Sequence, residues 1–417
     1  MYSELVSNCF KMTELGPLPE EWEVVMFSDC IAKQRIKIPP SILKSEYKPM
    51  GKYPIVDQSM NFIAGYTDEN EKILKQQLPV IIFGDHTRIF KFVDFPFAIG
   101  ADGTKIIFPK KDTFDPKFLY YYFLNLKIPS KGYNRHFKLL KESFAIRPSL
   151  PEQSAIAKVL STVQDAKEKT DAVITATKEF KKSLMKHLFT YGHVSLEEAE
   201  NVPLKETEIG MVPEGWGVKK IGSFAKFQGG YAFKSTDYQP EGVPLFKISN
   251  VSFGETVWNE KSYLPYSYLS EYSQFELKPG DLVMAMTRPI VSGGIKIAGL
   301  KDSDCPCLLN QRVGRFIVNQ SVDTLFLFQI LFDQSFISSI SHGALGSQQP
   351  NISANKIEQI SVPHPPLPIQ QKIASILSAV DEKIEKEETK KKALEELFKT
   401  LLNILMTGKL RVNHLEV

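Results

Sequence analysis

The segment from Lys131 to Lys141 reads KGYNRHFKLLK, so Lys131, Arg135 and Lys138 are interleaved with Tyr133 and Phe137. Cationic side chains at that density neutralise phosphates and release counterions, while rings and guanidinium groups stack on bases or reach their edges. The segment from Gly346 to Ser353 reads GSQQPNIS and is neutral, but Ser347, Gln348, Gln349 and Asn351 are polar. Glutamine and asparagine amides form paired hydrogen bonds with adenine edges. Arg88 follows the strand-like run from Val80 to Phe83, and Arg288 follows the similar run from Leu282 to Ala285. Gln228, Tyr231 and Lys234 lie in QGGYAFK, where two glycines let a loop approach a backbone closely, and Gln311-Arg312 is a further polar pair. The chemistry on offer is recognition of nucleic acid. The plain alternative is a set of solvated turns beside core aromatics.

Catalysis has no such support. There is no phosphate-binding G-x-x-x-x-G-K-[ST], no G-x-G-x-x-G after a strand, no H-E-x-x-H and no G-x-S-x-G. The Asn-Pro-Pro-aromatic run that would position a base amino group for methyl transfer is also missing. Glu388-Thr389-Lys390 has a nuclease-like spacing but sits in a charged helical stretch, and Gly84-Asp85-His86 reads as a strand end. Four cysteines occur, and Cys305-Pro306-Cys307 is too tightly spaced for a zinc knuckle. The expectation is a cytoplasmic chain with reduced thiols, no catalytic residues, no metal and no cofactor.

The chain has 417 residues, 43% hydrophobic and 24% charged, with a net charge of +3. Those values suit two or three globular domains and permit nucleic-acid binding without demanding it. No run of eighteen apolar residues exists, so no membrane span is expected.

The elements that must position these residues come in two copies. LPEQSAIAKVLSTV starts at Leu150 and LPIQQKIASILSAV starts at Leu367, an offset of 217 that still pairs Leu184 with Leu401 and Leu188 with Leu405. In the first copy Ile156, Val159, Val163, Ala166, Thr170, Val173, Thr177, Phe180 and Leu184 step by three and four, which is a heptad seam. In the second, Ile373, Ile376, Val380, Ile384, Lys391, Leu394, Leu397 or Phe398, Leu401 and Leu405 form a similar stripe. A helix of that length spans about 58 Å and cannot leave its stripe in water. Packing the two copies against each other as a coiled coil within the chain covers both stripes; the plain alternative is an ordinary amphipathic helix buried against its own domain.

The globular parts repeat more loosely. LGPLPEEW before the first returns as IGMVPEGW before the second, at offset 194 between Trp22 and Trp216. Thr87-Arg88 matches Thr287-Arg288 at 200, and Phe118-Leu119 matches Phe326-Leu327 at 208. Offsets that rise steadily toward 217 mark a duplicated unit with insertions in its second copy. Short β-branched runs and one aromatic helix per half make each unit mixed α/β. The expected organisation is a globular unit at 1–150, a long helix at 151–191, a polar connector at 192–208, a second unit at 209–366, and a second helix with a tail at 367–417.

IGMVPEGW, LKPGDLVMA at 277–285, LNQRVGRF at 309–316, GSQQPNIS, PPLPIQQKIASILSAVD at 365–381 and the closing TGKLRV together resemble the specificity subunit of type I restriction–modification systems. Two places depart from the pattern: Ile369 stands where the helix start usually carries Glu, and the first half has no close GSQQPNIS equivalent. The resemblance implies an α+β chain of two tandem target recognition domains, separated by long helices packed as an antiparallel coiled coil about a pseudo-twofold axis. It further implies that each domain reads one half of a split site in double-stranded DNA, with the helices setting the gap. The implied partners are two modification subunits, which carry S-adenosylmethionine, and the restriction (motor-nuclease) subunits. A coiled-coil scaffold with two protein-binding units is the alternative reading.

Overall fold

The computed structural model describes residues 10–33, 36–100, 103–130, 132, 135–291, 294–343 and 351–412. The chain divides into two compact units, one made of Met1–Ala172 with Glu388–Val417 and the other of Val173–Glu387. Among the described residues, no single helix is long and apolar enough to cross a membrane.

In the first unit, strand Val80–Gly84 is central to a three-stranded antiparallel sheet, flanked by Phe90–Val93 and Thr104–Ile107. All five residues of that central strand, VIIFG, are buried, which suits a run with no polar side chain. A second sheet orders Gly65–Thr67, Tyr53–Val56, Phe97–Ile99 and Ile73–Leu74, with the middle pair parallel. In the second unit, Leu282–Ala285 is central to a five-stranded sheet between Val313–Val318 and Ile297–Gly299. Its companion sheet orders Tyr263–Leu264, Val243–Phe246, Cys307–Leu309 and Glu276–Leu277, again with a parallel middle pair. The registers correspond: Ile55 faces Ala98 as Leu245 faces Leu308. The duplication in the sequence is therefore a duplication of topology.

Two long helices complete the units, Leu150–Tyr191 and Leu367–Met406. In the first unit, Ala155, Ile156 and Leu160 share a core with Leu402 and Leu405, while farther along Asp171 pairs with Lys391 at 2.6 Å. In the second unit, Met185, Leu188 and Phe189 share a core with Ile373, Ala374 and Leu377, and Lys181 pairs with Asp381 at 2.6 Å. In both units the helices run antiparallel.

The first seam differs from the sequence expectation by one residue at alternate steps. Val173 and Phe180 are 40% and 56% exposed, and the inward positions are Ile174 and Lys181. The reason is that lysine stems do seam work: Lys181 reaches Asp381, and the Lys167 ammonium lies over the Phe398 ring at 5.9 Å. Apolarity alone pointed at the neighbouring residues.

The glutamine in each Leu-Pro-x-Gln start explains why that motif occurs twice. Gln153 is fully buried; its amide oxygen accepts from the Asp115 N–H at 2.9 Å, and its nitrogen donates to the carbonyls of Thr113 and Pro148 at 3.1 and 2.8 Å. Gln370 repeats this with Asp323 N–H at 2.8 Å and the carbonyls of Ser321 and Pro365 at 3.4 and 2.8 Å. Asp115 and Asp323 in turn cap the aromatic helices Pro116–Asn125 and Thr324–Ile330. One amide thus ties the long helix, a loop and a capped helix together. Gln153→Ala leaves three backbone groups without their partner and is expected to cost its unit about 2–4 kcal/mol, as is Gln370→Ala in the other. Urea unfolding followed by segment-resolved hydrogen exchange checks that each loss stays within its own unit.

Candidate nucleic-acid interface

In the first unit the candidate residues gather at the end of the central strand. The chain turns at Asp85–Arg88, where Arg88 adopts φ 62° and its N–H bonds the Gly84 carbonyl at 2.7 Å. Asp85 is a hub: its carbonyl accepts from the His136 N–H at 2.9 Å, and its carboxylate accepts from the Phe137 N–H at 2.8 Å. These bonds fasten the basic segment to the turn that carries Arg88. Arg135 and Lys138 project from it exposed, with Glu142 4.0 Å from the Lys138 ammonium. Arg88 is half-buried and donates to the Ile128 carbonyl at 2.9 Å, so it also holds the connection that leads from the helix Pro116–Asn125 into the segment. The Phe137 ring is taken up by the core, beside Phe27 and Phe83 at 6.3 and 6.0 Å. Lys131 and Tyr133 lie outside the described residues.

In the second unit, Thr287-Arg288 occupies the same place at the end of Leu282–Ala285, and Arg288 has φ 46°. A positive φ costs a non-glycine residue about 1–2 kcal/mol. Finding it at both arginines matched by the repeat ties the pair by geometry as well as by sequence. Thr287 bridges to Asn351, the Ile352 N–H bonds the Met286 carbonyl at 2.9 Å, and the Met286 N–H bonds the Arg312 carbonyl at 2.9 Å. Arg288, Arg312 and Asn351, distant in sequence, therefore meet on one rim, all exposed. Gln311 joins them through its N–H, which bonds the Tyr231 carbonyl at 2.9 Å. The Tyr231 ring is 40% exposed and packs on Tyr272 and Phe275 at 4.7 and 5.5 Å; the Tyr231 hydroxyl raises the pKa of Tyr272. Lys234 is exposed. Ser347, Gln348 and Gln349 lie outside the described residues.

Gln228 stands apart from this group. Its amide donates to the Gln274 carbonyl at 3.1 Å and accepts from the Arg315 guanidinium at 3.0 Å. Arg315 also bonds the carbonyls of Gln274 and Glu276 and lies 3.3 Å from Asp281. Gln228 is thus committed to bracing a loop. Gln58 went unnoticed in the sequence: its side-chain oxygen accepts from the His86 N–H at 3.1 Å, and its carbonyl accepts from the Thr87 hydroxyl at 2.7 Å. The only available signal was the polar pair Asp57-Gln58 at the end of an apolar strand.

Burial pushes the Cys30 thiol up to about 12 and Cys305 up to about 11, so neither is a ready nucleophile. Among the described residues, no group of three or more His, Cys, Asp or Glu side chains could hold a metal ion.

The sequence matches the type I restriction modification DNA specificity domain over residues 19–176 and again over 213–396. The chain belongs to that family. It is 33% identical to the type I restriction enzyme MjaVIII specificity subunit of Methanocaldococcus jannaschii over 408 residues, covering 95% of each chain. It is 35% identical to the EcoAI specificity subunit of Escherichia coli over 175 residues, 42% of this chain and 29% of that one. Its fold is similar to the crystal structure of the S subunit from M. genitalium, with a TM-score of 0.62 at 18% identity, covering 92% of this chain and 96% of that one. As a specificity subunit the chain carries two target recognition domains for DNA and is the non-catalytic member of its restriction–modification complex. The two rims just described are the parts of those domains on which arginines and amides converge.

Proposed function

We propose that each rim reads one half of a bipartite site in double-stranded DNA, and that the two halves differ in sequence. The observation that carries this reading is the pair of left-handed arginine turns at equivalent strand ends, bordered by unlike chemistry. Arg88 is joined by Arg135 and Lys138, whereas Arg288 is joined by Arg312, Gln311 and Asn351. A shared scaffold with divergent borders suits two readers placed on inverted half-sites, as paired recognition elements are in dimers. Lys131, Tyr133, Ser347, Gln348 and Gln349 belong to the same proposed interface, with Tyr231 and Lys234 at its margin. Gln228 supports it from behind.

In this reading residues 1–150 and 209–366 are the recognition domains, 151–191 and 367–417 the spacer helices with the tail, and 192–208 the connector. The repeated helix faces dock two modification subunits, and restriction subunits complete the cytoplasmic complex. S-adenosylmethionine chemistry belongs to the modification subunits. Sequencing the methylome of cells that carry the complete system tests the proposal. The expected result is one split motif with two unlike halves and a fixed gap. A continuous motif, or no new methylation in cells with all subunits expressed, overturns it.

Arg288→Gly separates stability from reading. Glycine occupies φ 46° without strain, so stability is expected to hold or to rise by up to about 1 kcal/mol. Specific DNA affinity is expected to fall about tenfold, the loss from one side-chain contact of moderate strength. Thermal unfolding and fluorescence anisotropy of the assembled complex measure the two effects.

A further inference from the structure

The loop that follows strand Tyr53–Val56 carries three apolar side chains outward. Met60 is 88% exposed, Phe62 46% and Ile63 36%. Solvent contact alone would favour folding them inward, yet the loop is built to prevent that. Lys91 is buried, and its ammonium donates to the carbonyls of Asp57, Asn61 and Phe62 at 2.7, 2.5 and 3.5 Å. Asp57 lies 3.9 Å from that ammonium and accepts from the Ser59 N–H and hydroxyl at 2.9 and 2.5 Å. Burial pushes the Lys91 pKa down and the nearby Asp57 carboxylate opposes that shift. The Phe62 ring leans its edge on Phe95 at 6.0 Å, and the Ala64 N–H returns to the Ile55 carbonyl at 2.9 Å. The apolar tips are therefore held in place.

The loop is continuous with the proposed reading rim. Gln58, two residues before Met60 in the same loop, accepts from the His86 N–H through its side-chain oxygen and from the Thr87 hydroxyl through its backbone carbonyl, which ties the loop to the Arg88 turn. The corresponding stretch of the second unit is built differently, with Phe253 as its one large apolar side chain exposed among the described residues. There the stretch after Val243–Phe246 turns through Ile248–Asn250, and Asn250 and Val251 are buried. Asn250 bonds the Lys247 N–H and the Val257 carbonyl at 2.8 Å each.

We propose that Met60, Phe62 and Ile63 form an apolar wedge that enters a base step of the half-site read by the first unit and bends the duplex there. Apolar side chains that part stacked bases are a known route to bent DNA, and such sites favour flexible pyrimidine–purine steps. Three side chains are far too few for a stable protein–protein interface, which buries at least roughly 1,000 Å². A small apolar tip is the kind of group that parts a base step, and the adjacent arginine turn carries positive charge for phosphate. This inference rests on the DNA-reading proposal above.

The test uses the full chain assembled with its modification subunits. The probes are duplexes carrying the methylome-defined site, labelled at both ends for energy transfer, with a scrambled duplex for comparison. For Met60→Ser/Phe62→Ser, the expected result is a 10- to 100-fold loss of specific affinity and a smaller change in end-to-end distance, with scrambled-duplex affinity unchanged. Phe62→Leu is expected to keep most of both, and discrimination at the other half-site is expected to persist. The side chains are exposed, so unchanged melting of the double variant confirms folding. If the wild-type complex binds its site and the double variant binds and bends it equally, the wedge is wrong while the reading stands. Lost affinity with unchanged bending, or lost subunit assembly with unchanged DNA binding by the free chain, also overturns the wedge. If the wild-type complex shows no preference for the split site, the underlying reading fails first.

Discussion

Arg411→Ala is expected to destabilise the first unit by about 3–5 kcal/mol and to leave the second unchanged. Glu152 is 2% exposed at the start of the first long helix, and its carboxylate is held by three donors. They are the Arg411 guanidinium at 2.5 and 3.0 Å and the Trp22 indole N–H at 3.0 Å. Arg411 also bonds Glu21 at 2.8 Å and lies 5.7 Å from the centre of the Trp22 ring. Removing the guanidinium leaves a buried carboxylate with only a neutral donor, which is why breaking such a pair costs more than the pair contributes. The second repeat suggests the remedy, because Ile369 stands at the position of Glu152 and packs into its own core. Glu152→Ile added to Arg411→Ala is therefore expected to bring stability back to within about 2 kcal/mol of the original, the remainder being the unpaired Trp22 N–H. Hydrogen exchange resolved by peptide separates the two units. A double variant as unstable as Arg411→Ala alone would show that the charge is not the cause.

Removing one heptad from each long helix, centred on Asp171 and on Lys391, is expected to shorten the unspecified gap of the recognised site. Seven residues span about 10 Å, close to three base pairs at about 3.4 Å each. Three base pairs also rotate the duplex by roughly a third of a turn, so affinity is expected to fall as well. Removing the heptad from one helix only deletes Asp171 or Lys391, throws the two seams out of register so that Lys181 and Asp381 no longer meet, and is expected to abolish modification. Methylome sequencing reads both outcomes. A paired deletion that kept the original gap would end the idea that the helices act as a ruler.

Both results depend on features that differ in how well the sequence announced them. The duplication was legible because apolar spacing and the Leu-Pro-x-Gln starts keep one offset, and the corresponding strands, Tyr53–Val56 and Val243–Phe246, have matching registers. The inward residues of the first helix were legible only in part, since Lys167 and Lys181 pack through stems and a charged partner that apolarity cannot reveal. At the rims, Arg88 and Arg288 stood out because they follow similar strands. Their shared left-handed backbone could not be read from residue type, since arginine rarely adopts it. Gln228 looked like a free amide on a glycine loop, but its use is decided by Arg315, eighty-seven positions away. The apolar loop at Met60 was hidden by the very rule that found the core, which assigns such residues to the inside.

The first unit is assembled from both ends of the described chain, whereas the second is one continuous stretch. Synthesis on the ribosome proceeds from the N-terminus, and domains ordinarily fold in the order they emerge. Here that order is inverted. Leu160, Ile156 and Trp22 must wait for Leu402, Leu405 and Arg411 before their core can close, by which time residues 173–387 have already been made. A nascent chain interrupted before residue 388 would carry a finished second reader beside an open first one, an aggregation-prone species for chaperones to shelter or proteases to clear.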